Sequence, residues 1–156
     1  MSLSDEERRI IVGLEYEKAC KTIDKVIEYQ TLGHWDTVAN RLYYSLFHAV
    51  NALLINDGHS VNTHRGVISV FGNDYIRTGI FPSKAGRLYS DLQTLRNNSD
   101  YNCSFDATED EIKPLIEPTK QLIEEIGKYR SRRDFLCLAK YHRQPVKEEV
   151  YVHDTM

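Results

Sequence analysis

Apolar and polar positions alternate with helical spacing along nearly the whole chain. Ile10, Ile11, Leu14, Ala19, Ile23, Val26 and Ile27 recur every three or four residues, the mark of an amphipathic helix. Ser4 followed by Glu7 forms a capping-box pattern. A first helix is therefore predicted from about Asp5 to Gln30, broken by Leu32 to His34. A second runs from about Asp36 on the stripe Val38, Leu42, Leu46, Val50, Leu53 and Leu54, and Gly58 is its natural C-terminal cap. Thr63 reads as the N-cap of a third helix, "HRGVISVFGNDYIR", closed by Gly79. Pro82 suits the opening of a fourth, which carries Leu88, Leu92 and Leu95. Thr108 with Glu111 is a second capping box, before a fifth helix on Ile112, Leu115, Ile116, Leu122, Ile123 and Ile126. Pro114 and Pro118 inside that helix predict a kink or a late start.

No window gives strands with partners. Val150 and Val152 alternate with polar neighbours, but alone. The expected fold class is all-α, an antiparallel helical bundle joined by short loops. After Tyr129 the sequence turns basic and then mixed and polar. Residues 1–133 are taken as the helical domain and 134–156 as a C-terminal tail, disordered or docked on a partner.

Composition narrows the class. The 156 residues, 41% hydrophobic and 28% charged, suit one globular domain with a sizeable core. A net charge of -3 supplies no global basic field, so contact with RNA or DNA would need a local patch. Cys20, Cys103 and Cys137 are far apart with no CxxC pair, which fits a reducing compartment rather than a disulfide framework. The N-terminus is charged from Asp5 onward, and no apolar run approaches the ~20 residues of a membrane span. The expectation is a cytoplasmic protein without membrane contact.

Candidate chemistry lies in three places. Arg41, Tyr44, Ser45, His48 and Asn51 or Ala52 share a face of the second helix, away from its apolar stripe. Tyr43, Tyr44 and Phe47 fall within five residues. Such a face is either solvated or packed against another chain or a cleft, where tyrosine and arginine are favoured. His59 and His64 lack a convergent third ligand, so no metal site is expected. His64 reads as a first-turn helix residue. Lys128, Arg130, Arg132 and Arg133 complement the end of the fifth helix or make a local phosphate patch.

The third place is "LRNNSDYN", Leu95 to Asn102. Asn, Ser and Asp are weak helix formers, so local structure does not account for them. Arg96 and Asp100 are spaced for an i,i+4 ion pair, which leaves Asn97, Asn98 and Tyr101 unexplained. An arginine held by its own helix beside amide and phenol donors suits a phosphate. No P-loop, GxGxxG, HExxH or GxSxG occurs.

"NRLYYSLFHAVNALL", "THRGVISVFGNDYIRTG" and "LRNNSDYN", in that order, resemble the HEPN family of small prokaryotic helical domains, in the branch ending in Arg-x-x-x-Asp-Tyr. The resemblance spans roughly residues 8 to 128. It implies four long helices with a shorter fifth, and a homodimer. It also implies a toxin–antitoxin-like module, often beside a minimal nucleotidyltransferase partner. Active members are metal-independent ribonucleases with Arg, a polar residue, and a histidine four to six positions after the arginine. Here Arg96 and Asn97 match, whereas Asp100, Tyr101 and Asn102 stand where histidine belongs. An aspartate paired to an arginine is a weak base near neutral pH, and a phenol holds its proton too tightly. The leading expectation is a module that binds the nucleotidyltransferase, or a nucleotide or RNA phosphate, through Arg96. The alternative is a ribonuclease toxin with a composite site at the dimer interface. Whether the chain is an enzyme stays open at this point. Candidate catalytic residues are Arg96, Asp100 and Tyr101. Arg96, Asn97, His64 and His48 are the phosphate-binding candidates, and Tyr44, Phe47, His48 and Tyr101 the dimer-interface ones. No cofactor is expected.

Overall fold

A computed structural model describes residues 2–141, with side chains through residue 132. Among these residues every regular element is helical: α1 (Asp5–Asp24), α2 (Val26–Thr31), α3 (Trp35–Asn56), α4 (His64–Val70), a π-helical turn (Phe71–Ile76), α5 (Ser83–Tyr101) and α6 (Glu109–Tyr141). This is the expected all-α bundle, with α1, α3, α5 and α6 as its four long helices and α2, α4 and the π-helical turn as shorter pieces between them.

Helix α3 is its axis, with α1, α2, α4, α5 and α6 all packed on it. Leu42, Tyr43, Leu46, Ala49, Val50, Leu53 and Leu54 on α3 are buried. Burial reaches round the helix instead of keeping to one stripe. Ser45 and Ala52, placed by sequence on the polar face, are buried too, and Ser45 donates to the Leu42 carbonyl at 2.8 Å. Tyr89 and Leu92 of α5 and Ile112 and Ile126 of α6 complete the core.

Both predicted capping boxes form. Ser4 accepts from the Glu7 amide at 3.1 Å and its own amide donates to the Glu7 carboxylate at 2.8 Å. Thr108 and Glu111 repeat the pattern at 3.4 Å each way. Gly58 closes α3 with φ at 87°, His59 N–H reaching Leu54 O and Gly58 N–H reaching Ile55 O. That pair of bonds needs a left-handed residue between them.

The predicted first helix is two. It breaks at Lys25, one turn after Thr22 turns its hydroxyl back onto the Lys18 carbonyl at 2.7 Å, a bond that bends helices. Its predicted stripe is also displaced: Ile10, Leu14 and Ile27 are exposed while Val12 is buried. The third helix tightens only to Val70 and then widens, with Arg77 N–H bonded to Gly72 O five residues back. The fifth starts on time at Glu109 despite its prolines. Pro114 and Pro118 are exposed, so water can hydrate the carbonyls they leave unbonded. It continues past Tyr129 to Tyr141, into the stretch assigned by sequence to a tail; residues 142–156 lie outside the described residues.

Candidate functional site

The site is built where the C-terminal half of α5 crosses the middle of α3 and the start of α4. Arg96 leaves α5 and lies against α3. Its Nη2 donates to the Tyr44 hydroxyl at 2.9 Å and its Nη1 to Asn97 Oδ1 at 3.2 Å. Its Nε stands 3.1 Å from Asp100 Oδ2, an ion pair whose angle is too poor for a hydrogen bond. The guanidinium carbon is also 5.5 Å from the ring centres of Tyr43 and Tyr44 and 5.6 Å from that of Tyr101. Desolvation opposes the charge on Arg96, but Tyr44, Tyr101 and Asp100 outweigh it and raise the pKa further. Arg96 is therefore a fixed cation in an aromatic cage.

Two histidines from other elements enter the same cage. Thr63 caps α4 by accepting from Gly66 N–H at 2.9 Å, which sets His64 at the helix start. The His64 ring stacks on Phe47, centres 4.2 Å apart and planes 7° apart. Its Nδ1 is 2.7 Å from the Tyr43 hydroxyl. Burial first, then the charges of Arg96 and His48, hold its pKa below the usual histidine value. It is neutral at neutral pH.

His48 lies one turn after Tyr44 on α3, ring centres 6.5 Å apart. Its Nδ1 is 2.8 Å from Glu15 Oε2 of α1. The bond from His48, with a smaller contribution from Asn51, keeps Glu15 below the ordinary carboxylate range against a desolvation penalty. Arg41 packs over the outer side of the Tyr44 ring at 5.6 Å.

Most sequence-predicted residues therefore meet. Arg96, Asn97, Asp100, Tyr44, Phe47, His48 and His64 share one cluster of α3, α4 and α5. Tyr101 sits at its rim, 74% exposed. His59 goes elsewhere, to Asp74 at 3.6 Å and the Tyr75 ring. Glu15 and the role of Tyr43 escaped the sequence. Glu15 reaches His48 across 33 residues and from another helix, a pairing with no local signal. Tyr43 stood out only as one more ring in an aromatic string. A cleft of about 900 Å³ between α5 and α6, floored by Phe81, Leu88 and Leu122, lies apart from these groups.

Among the described residues no helix is long and apolar enough to cross a membrane. The model of the HEPN domain family matches residues 14–129. The chain is similar to a UPF0332 protein of Thermotoga maritima, 30% identical over 59% of this chain and 70% of that one. It is also similar to two Methanocaldococcus jannaschii proteins, each named "Putative toxin". One is 23% identical over 77% of this chain and 82% of its own, the other 32% identical over 60% and 68%.

Proposed function

The chain belongs to the HEPN domain family, and on that premise we propose that it is a toxin-type member that cleaves RNA without a metal ion. One observation carries the reading: His48 and His64 both stand against Tyr44, the residue that holds Arg96. The motif on α5 lacks a histidine of its own, and α3 and α4 supply two. The names of the Methanocaldococcus relatives point the same way.

Arg96 takes the charge that builds on the phosphate oxygens. An imidazole of the pair accepts the proton of the ribose 2′-hydroxyl. O2′ bonds to phosphorus as the P–O5′ bond breaks, and the 5′ oxygen takes a proton from water. The products are a 2′,3′-cyclic phosphate and a 5′-hydroxyl. Asp100 keeps Arg96 aimed. Two chains pair through the rim at Tyr101, and a minimal nucleotidyltransferase acts as the partner that restrains the pair.

A second reading has its own support. Arg96 already has Tyr44, Asn97 and Asp100 as partners in its own chain, which suits a module that binds a nucleotide or RNA phosphate, or its partner, without cutting. One assay separates the two. Wild type, Arg96→Ala and a His48→Ala/His64→Ala double variant are incubated with total RNA and tRNA in EDTA. Cleavage by wild type alone supports the ribonuclease. Intact RNA with folded wild type leaves the binding module.

A further inference from the structure

The two histidines differ in what stands behind them. An ionised carboxylate only accepts hydrogen bonds. Glu15 therefore obliges His48 Nδ1 to carry a proton, and the neutral ring keeps its lone pair on Nε2. No described residue bonds that Nε2. His64 faces the reverse. Tyr43 is fully buried, and among the described residues its hydroxyl has His64 Nδ1 as its one hydrogen-bond partner. A buried hydroxyl with a single partner that can accept donates to it, because an idle donor away from water forfeits its hydrogen bond with nothing in return. His64 Nδ1 then accepts, and the proton of the neutral ring sits on Nε2. Which nitrogen bears the proton follows here from the hydrogen-bond network.

We propose that Glu15 and Tyr43 lock the two histidines in opposite tautomers, His48 with a bare Nε2 and His64 with a protonated one. Glu15 and Tyr43 are positioning residues. The consequence for chemistry rests on the ribonuclease reading. His48 is the group able to receive the 2′-hydroxyl proton, while His64 and Arg96 donate to the phosphate. His64 is then a holder of substrate, although it is the histidine more firmly stacked.

Nitrogen-15 NMR of the histidine-labelled full chain, above the titration range of imidazole, tests the lock without any substrate. Expected are a protonated Nδ1 for His48 and a protonated Nε2 for His64. Tyr43→Phe, which keeps the ring and removes the hydroxyl, should move His64 towards a tautomer mixture and leave His48 alone. Glu15→Ala should do the converse, and Glu15→Leu, which keeps the bulk and has no acceptor, serves if that variant unfolds. Both rings in one tautomer, or His48 unmoved by loss of Glu15, overturns the proposal. RNA kinetics test the division of roles: His48→Ala should lower kcat by about 10²–10⁴-fold, and His64→Phe should act mainly on KM. Full kcat in His48→Ala overturns that division. Opposite tautomers in a wild type that cuts no RNA would leave the lock standing and remove the ribonuclease reading instead.

Discussion

Tyr44 is where a single oxygen decides the most, because it accepts from Arg96 between the rings that surround the guanidinium. Tyr44→Phe keeps the packing and strands a charged donor. The expected loss is about 1–3 kcal/mol in urea unfolding, together with weaker binding of an RNA fragment. His64 predicts a pH dependence. Its folded pKa lies below the ordinary value because burial, Arg96 and His48 disfavour its charge. As pH falls through about 6.5 the unfolded chain takes up this proton before the folded one. Stability from a neutral His64 is complete above that pH and drains away towards the lowered folded value. Urea midpoints should thus drop from pH 7.5 to pH 5.5, and the drop should shrink in His64→Phe, which retains the stack on Phe47. At this scale the sequence exposed the Arg96–Asp100 pair, since i,i+4 spacing is local. It was silent on Glu15 with His48 and on Tyr43 with His64, contacts that exist only once helices pack.

Helix ends were the legible part of the elements, and one of them bears directly on the site. The Thr63 cap fixes the first turn of α4, where His64 sits. Thr63→Ala should cost about 0.5–2 kcal/mol and loosen the His64 stack, measurable as lost protection of the Gly66 amide to hydrogen exchange. Capping boxes and Gly58 were read correctly because their chemistry is contained in four or five residues. The break at Lys25 and the π turn after Val70 were not, being settled by a threonine turned inward and by the packing of Phe71 and Tyr75. Helix α6 offers another test. Gly127 faces the Tyr16 ring so closely that an added Cβ would meet its hydroxyl, which donates to Ile123 O at 3.0 Å. Gly127→Ala should cost about 1–3 kcal/mol by overpacking and part α1 from α6, read as a lower thermal midpoint.

For the whole molecule, the bundle was legible because five apolar periodicities with short connections leave few other packings. The pattern did not show that α3 is buried around most of its girth, because α5 and α6, which cover part of it, lie far along the chain. The proposed pairing of two chains is checked by light scattering: twice the chain mass for wild type, and one chain mass for Tyr101→Asp.

The dispersal of the site has a consequence for its synthesis. Glu15 waits 33 residues for His48, and Tyr44 waits 52 for Arg96. A nascent chain still short of α5 holds the histidines without the cation that would grip a phosphate. On the proposed ribonuclease reading, fragments released early from the ribosome would be inert, because the site is complete only once α5 has packed against α3.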